Sequence, residues 1–248
     1  MINSPYLKKF NYLIFFICLI QINGCSPLAL GTSSLLPPVE GTLDLGNGNF
    51  YKGEIRGLKP EGKGTLSLAS GDKLVGEFKD GKPVGNVMFT SAKGDTYAGG
   101  FKDGKPEGKG VFTSANYHSD IDLKGNFPNA MRLMTQLGGG GKKYDGEFKN
   151  GKAEGKGTAF LADGSQYVGE FKNGEPNGKG ILTKANGDKF FGEYKNGIVE
   201  GQGTETLANG DQYVGEFKNG EREGKGTLTL INGKILKGYW KNNNFVGP

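Results

Sequence analysis

A segment of eight residues recurs along this chain at a fixed interval. Its best-defined copy spans residues 167–174, and near-identical copies begin at Tyr144 and Tyr213. Looser copies begin at Tyr51, Leu74, Tyr97, Phe190 and Leu236. The starts from 51 to 97 and from 144 to 236 are each 23 residues apart. A short fixed period indicates stacked similar units, none of which buries its apolar face alone.

One unit has the pattern of a β-hairpin. From 167 to 172, Tyr, Gly and Phe alternate with Val, Glu and Lys, the period of two typical of a half-buried strand. Asn173-Gly174 then predicts a reversal, because both residues tolerate φ > 0. A second extended run follows at 178–183, and Asn186-Gly187 is predicted to turn the chain into the next unit.

The 46 glycines of the chain fall at fixed positions in this period, which argues against disorder. Glycine weakens a strand unless another group approaches its backbone closely. We therefore expect the Tyr and Phe rings to lie across the glycine backbone of neighbouring strands. The residues predicted to have this structural role in the clearest copies are Tyr144, Gly146, Phe148, Tyr167, Gly169, Phe171, Tyr213, Gly215 and Phe217.

These residues resemble the MORN repeat (membrane occupation and recognition nexus), whose pattern is Tyr-x-Gly-Glu-Phe/Trp-x-Asn-Gly-x-x-x-Gly-x-Gly. The resemblance covers roughly residues 41–248. It implies an all-β fold, an elongated single-sheet antiparallel β-meander rod of about eight to nine hairpin repeats. The pattern is broken where Gly100 replaces Glu and Val87 replaces the last Gly, and residues 41–48 match only half a hairpin.

An irregular unit is predicted at 113–143, because Tyr97 and Tyr144 lie 47 residues apart, two periods plus one. It would hold a degenerate copy near 123–127, followed by a short helix or loop. Asn129 is a candidate helix cap. The apolar side chains here either fill a defect in the sheet or form a candidate partner-docking knob, since Met and Leu contacts are adaptable. They are Met131, Leu133, Met134 and Leu137.

The N-terminus has the pattern of an export signal. Lys8 and Lys9 precede an apolar stretch from about residue 10 to 22 that is short for a membrane span. The following Ile-Asn-Gly-Cys resembles a bacterial lipobox, which implies a signal peptide at 1–25, lipidation of Cys25 and a flexible tether at 26–40. An ordinary cleaved signal peptide and an uncleaved anchor are the alternatives. The resemblance implies an exported protein anchored to a bacterial membrane, the outer one being favoured in a Gram-negative host.

The sequence offers little for catalysis, and we predict no enzyme activity, no cofactor and no metal site. His118 is the single histidine, and no nucleophilic set can be assembled around it. Residues 57–64 imitate a P-loop but end in Gly64 and lead into a strand. One position of successive units holds Glu54, Glu77, Glu147, Glu170, Glu193 and Glu216. Equivalent carboxylates favour a structural ladder, in which we expect the lysines two residues later (Lys149, Lys172, Lys195 and Lys218) to stand beside them.

We therefore predict a membrane-tethered scaffold that binds protein partners or itself. The net charge of +5 is spread along the repeats with both signs interspersed, which argues against nucleic acid. No small-molecule substrate is evident. A phospholipid-binding module is the alternative, and an enzymatic or kinase-associated role would rest on family context alone.

Overall fold

A computed structural model describes residues 37–115 and 141–248. They fall into two compact units, which are described here one at a time. Within these residues every regular element is a β-strand and there is no helix. The all-β prediction is confirmed.

The first unit contains seven strands. They are β1 (Val39–Gly46), β2 (Asn49–Arg56), β3 (Lys59–Ser67), β4 (Lys73–Lys79), β5 (Lys82–Thr90), β6 (Thr96–Lys102) and β7 (Lys105–Thr113).

The second unit contains ten strands. They are β8 (Gly141–Lys149), β9 (Lys152–Leu161), β10 (Gln166–Lys172), β11 (Glu175–Thr183), β12 (Lys189–Lys195), β13 (Ile198–Thr206), β14 (Gln212–Lys218), β15 (Glu221–Thr229), β16 (Ile235–Lys241) and β17 (Asn244–Gly247).

Strands pair antiparallel with their sequence neighbours inside each unit. In the first unit the ladder runs from β1 to β7. In the second unit it runs from β8 to β17. This is the predicted meander, and β1 is the predicted half hairpin, although it starts at Val39, two residues before the expected boundary.

Two kinds of turn alternate along each ladder. Most tight turns have left-handed backbone at both central residues, as Asn173 (φ 54°) and Gly174 (φ 91°) show, whereas at Gly57-Leu58 only Gly57 (φ 64°) has positive φ. Such a turn matches the twist of the strands and favours the Asn-Gly and Asp-Gly pairs found at most of these positions. At 184–188 the connection is longer, since Lys184 N–H donates to Asp188 O and Gly187 N–H to Lys184 O. Of the predicted Asn186-Gly187 pair, only Gly187 has positive φ (97°).

Tyrosine rings lie on a continuous row of glycines. In the second unit, glycines face glycines across every strand pair from Gly146 to Gly238. A Cβ added to Gly169 would lie 2.5 Å from Tyr167 Oη, and one added to Gly180 would lie 2.5 Å from Tyr167 Cε2. The missing side chains therefore make the space that the ring fills.

The aromatic rings also contact one another edge to face. Across the second unit, nine such pairs have centroids 4.9–5.6 Å apart, and they join Phe148, Tyr144, Phe171, Tyr167, Tyr194, Phe190, Phe217, Tyr213, Trp240 and Phe245 in one chain of contacts. Each edge-to-face pair contributes about 0.5–1.5 kcal/mol beyond the burial of its area. Tyr167–Tyr194 and Phe190–Phe217 join aromatics of successive repeats, so the repeats are coupled through their rings.

One repeat of the first unit packs its core without a tyrosine over a facing pair of glycines. Leu74 stands at the tyrosine position, and Val87 stands at the glycine position opposite Gly76. Both side chains are buried. A leucine does not reach over the partner strand as a tyrosine does, and the valine occupies the space that remains. The sequence departure at Val87 is therefore compensated by the departure at Leu74.

Several predictions fall on residues that the structure does not describe. They are the signal peptide at 1–25 with Cys25, most of the tether, His118, and the central part of the irregular unit with Met131, Leu133, Met134 and Leu137. These remain predictions from the sequence.

Replacing Phe171 by Ala should lower the free energy of unfolding by about 3 kcal/mol, because a ring that is 3% exposed would leave a cavity. Its contacts with Tyr144 and Tyr167 would also be lost. Urea unfolding followed by circular dichroism measures the change. Val168→Ala on the opposite face is the control, with an expected loss under about 1 kcal/mol. Equal losses in the two variants would contradict the assignment of the faces.

Candidate functional site

The two faces of the sheet differ in what they offer to a partner. The face that carries the Tyr and Phe rings forms the core, and Tyr144, Tyr167 and Tyr213 are completely buried. The other face carries the alternate residues of each strand. In the second unit its central line runs through directly opposed residues, which we call the exposed row: Thr158, Val168, Ile181, Phe191, Thr204, Val214 and Thr227.

The apolar members of the exposed row are accessible to solvent. Val168 is 45% exposed, Ile181 43% and Phe191 52%, and these three side chains are direct cross-strand neighbours. Val214 is 48% exposed and lies beyond Thr204 in the same row. The first unit repeats the arrangement with Val75 (43%) opposite Met88 (56%). A contiguous line of half-exposed apolar side chains is more informative than scattered ones, because such patches often mark contact sites.

Charged residues border the exposed row on one side. Lys156 lies opposite Glu170, and Lys179 lies opposite Glu193. The lysines predicted to partner these glutamates do not do so: Lys172 faces Glu175 and Lys218 faces Glu221 at the ends of the hairpins. The prediction was wrong because these glutamates and lysines lie on the same strands, as Glu170 and Lys172 do on β10. Each such strand pairs with return strands, which place Lys156 and Lys179 opposite the glutamates instead.

The repeated glutamates take part in the backbone structure. Glu54 Oε1 accepts a hydrogen bond from the Lys63 amide at 2.9 Å, and Glu216 Oε1 accepts one from the Lys225 amide at 3.3 Å. Each side chain folds over a glycine of the return strand. A Cβ on Gly178, which has φ 109°, would lie 2.5 Å from Glu170 Oε2. These carboxylates form the predicted structural ladder, although their bonds go to backbone amides.

Other acidic residues join successive repeats. Asp188 Oδ1 accepts from the Ala208 amide at 2.9 Å, and Asp211 Oδ1 from the Ile231 amide at 2.8 Å. A hydrogen bond from Asn186 and the one from the Ala208 amide hold the pKa of the Asp188 carboxyl below its usual value. At the tight turns, Glu154 accepts from the Asn173 amide at 3.0 Å in the same way. Because these carboxylates accept backbone hydrogen bonds from the next repeat, they are poorly placed for acid–base catalysis.

A shallow depression of about 360 Å³ lies on the exposed face beside the row. Its floor is the backbone of Gly157 and Gly169, and Lys156, Glu170 and Lys179 border it. Its open shape suits contact with a surface or an extended chain more than enclosure of a small substrate. Among residues 37–115 and 141–248, no group of three or more His, Cys, Asp or Glu side chains is arranged to hold a metal ion.

One charged pair lies on the ring-bearing face of the second unit. Arg222 Nη2 lies 2.8 Å from Glu205 Oε2, and the guanidinium also stacks on Tyr213 at 4.9 Å. Arg222 lies opposite Phe217. In an earlier repeat the equivalent position, opposite Phe171, is occupied by Pro176. The sequence contains a signal for this ion pair, because Glu205 and Arg222 interrupt the apolar pattern of their strands in two neighbouring repeats. Their adjacency follows only from the register.

No helix long and apolar enough to cross a membrane occurs in the part of the chain that the structure describes. Of the predicted structural residues, the three tyrosines and Phe148, Phe171 and Phe217 lie on the ring-bearing face, beside Gly146, Gly169 and Gly215.

Comparison with known proteins was made at the level of families, sequences and structures. A family model described as "MORN repeat" matches seven segments: 51–73, 75–96, 97–119, 144–166, 167–189, 190–212 and 213–235. No curated protein sequence was found to match the chain.

Solved structures show a distant likeness. The TCP domain of SAS-4 from Drosophila melanogaster, in complex with a proline-rich motif of Ana2, has 11% identity and a TM-score of 0.40. The match covers 72% of this chain and 84% of that one. The TCP10c domain of Drosophila melanogaster Sas-4 has 10% identity and a TM-score of 0.37, with 73% and 93% covered. The wild-type TCP10 domain of Danio rerio CPAP has 12% identity and a TM-score of 0.21, with 70% and 81% covered. These values assign no shared function.

The buried phenols predict a loss of stability in alkali. Burial, with a smaller effect of Glu54, raises the pKa of Tyr51 to about 12, and burial with Glu107 raises that of Tyr97 to about 12. An unfolded tyrosine ionises near pH 10. Between these values the unfolded state binds fewer protons, so the free energy of unfolding falls as pH rises.

Urea unfolding at neutral pH and at about pH 11 tests this expectation. Tyr97→Phe is the control, because Phe190 occupies the same position in another repeat over Gly192 and Gly203. The variant should lose less stability on the change of pH than the unsubstituted protein. A stability that does not change across this range would show that the phenols ionise freely in the folded protein.

Proposed function

Because the chain belongs to the MORN-repeat family, we propose that it is a non-enzymatic scaffold whose exposed row binds a protein partner at a bacterial membrane. MORN repeats are repeat modules of protein or membrane interaction, and here they account for most of the chain. The observation that carries the proposal is the contiguous Val168, Ile181 and Phe191 surface on the face opposite the rings.

A protein partner fits this surface better than a lipid bilayer does. Lys156 and Lys179 are interleaved with Glu170 and Glu193 along one border of the exposed row. An anionic membrane attracts clusters of basic residues, and the glutamates oppose that attraction. Protein interfaces instead combine an apolar centre with a polar rim of both signs.

Self-association is the second candidate. A sheet whose outermost strands leave backbone groups unpaired can extend by pairing with another copy. Within the described residues, β1 pairs only with β2 and β17 only with β16. Self-association and partner binding predict different masses for the purified protein, so sedimentation velocity distinguishes them.

Substituting the exposed row should remove the partner without unfolding the protein. The variant V168T/I181T/F191T replaces each apolar side chain by threonine, which the row already contains at Thr158 and Thr204. Crosslinking and co-purification from the native host should yield a discrete partner with the unsubstituted protein and none with the variant. The unfolding temperature should change little, because the substituted side chains are half exposed.

Ile231→Thr is the matched control, since Ile231 is 74% exposed in a loop away from the row. A partner retained by the triple variant would contradict the assignment of the site to the exposed row. A variant that lacks residues 128–141 tests the irregular unit as the alternative docking site. A partner lost only in the deletion would place docking at Met131, Leu133, Met134 and Leu137 instead.

The membrane anchor is a separate proposal that rests on the N-terminal sequence. Cys25→Ala should release the protein from the membrane fraction, because the residue is the proposed acceptor of the lipid. Fractionation and metabolic labelling with a fatty-acid analogue measure the two effects. A Cys25→Ala protein that remains in the membrane fraction and still carries label would exclude this site of lipidation.

A further inference from the structure

In the first unit, lysine pairs stand at the ends of the hairpins. Lys79 lies directly opposite Lys82, and Lys102 lies directly opposite Lys105. At the first hairpin of this unit, Arg56 lies opposite Lys59. Each pair is the last cross-strand pair before a tight turn, so the same place in three successive hairpins carries two positive charges.

The second unit provides an internal comparison. At the equivalent place Lys172 lies opposite Glu175, and Lys218 lies opposite Glu221. The other three hairpin ends of this unit pair Lys149 with Lys152, Lys195 with Ile198 and Lys241 with Asn244. Opposite charges facing each other across a strand pair stabilise a sheet, and like charges destabilise it. Folding alone therefore favours the Lys–Glu arrangement, and the like-charged pairs of the first unit lower its stability.

These basic residues form a line along one edge of the first unit. We call Arg56, Lys59, Lys79, Lys82, Lys102 and Lys105 the basic edge. The four lysines of the last two hairpins are exposed. Asp80 and Asp103 lie in the intervening turns, and Glu61 accepts a hydrogen bond from the Asp80 amide at 3.0 Å, so six positive charges stand against three negative ones. Successive pairs are about 10 Å apart, because one hairpin adds two strand spacings.

We propose that the basic edge binds an extended acidic segment of a protein partner, with one carboxylate seated at each basic pair. In the polyproline II conformation, three residues of an extended chain span about 9 Å and every third side chain points to the same side, which is close to the spacing between successive pairs. The charges follow a single line, which matches a chain better than a plane of lipid headgroups. This site lies on the hairpin ends and is distinct from the exposed row, so it goes beyond the proposed scaffold function.

The test uses the purified full-length protein and a synthetic peptide with glutamate at every third position. A peptide with glutamine at the same positions is the uncharged control. Isothermal titration should show binding of the glutamate peptide, weakening as salt rises because the contacts are exposed charge pairs. The glutamine peptide should not bind.

Lys82→Glu with Lys105→Glu is the informative variant, because it gives the first unit the pairing of Lys172 with Glu175. It should weaken peptide binding by about tenfold or more while leaving the unfolding temperature equal or higher. The unfolding temperature thereby shows whether binding is lost because the protein unfolds or because the basic edge is altered. Lys82→Gln with Lys105→Gln should weaken binding to a lesser degree.

The converse variant carries Glu175→Lys and Glu221→Lys in the second unit. It should gain binding of the glutamate peptide and lose thermal stability. Unchanged binding by the Lys82→Glu/Lys105→Glu protein, or equal binding of the two peptides, would overturn the proposal. So would binding to vesicles containing phosphatidylglycerol without binding to the glutamate peptide.

Discussion

The close contact of tyrosine rings with glycine backbone supports the rest of this structure. Each ring lies over the glycine of its own strand and the glycine of the return strand, as Tyr167 does over Gly169 and Gly180. Its hydroxyl donates to the Glu170 carbonyl at 3.2 Å, which satisfies the polar end of a buried side chain. Without a second layer of helix or sheet, a side chain of this size that lies flat gives a single sheet its buried core. The Leu74–Val87 pair shows that the constraint is one of filled volume, which other side chains can meet.

The same contact explains why the repeats act together within each unit. An edge-to-face ring contact joins one repeat to the next, and the carboxylates of Asp188, Asp211 and Glu154 hold the neighbouring turns. Each repeat therefore stabilises its neighbours, as in other repeat proteins. The repeated glutamates add bonds within the hairpins, as Glu54 does by accepting from the Lys63 amide.

Because the rings occupy one face, the alternate residues of each strand lie on the opposite face. That face carries Val168, Ile181 and Phe191 between mixed charges, and the hairpin ends of the first unit carry like-charged pairs such as Lys79 and Lys82. The two surfaces differ in chemistry, one apolar and one basic. They therefore suit different contacts, which is what a scaffold requires.

The repeat, the hairpins and the burial of the Tyr and Phe rings could be predicted from the sequence, because these depend on a period of two and on turn residues with positive φ. The sequence also predicted that glycines receive rings, since glycine in a strand has few other uses. Which residues face each other across strands depends on the tertiary structure. Glu170 lies opposite Lys156 because the strand that carries Glu170 pairs with a return strand. The pairing of two return strands with β14 brings Arg222 to Glu205, and the register of β4 and β5 places Lys79 opposite Lys82. Cross-strand neighbours are distant in sequence, and one shift of register changes every pair beyond it.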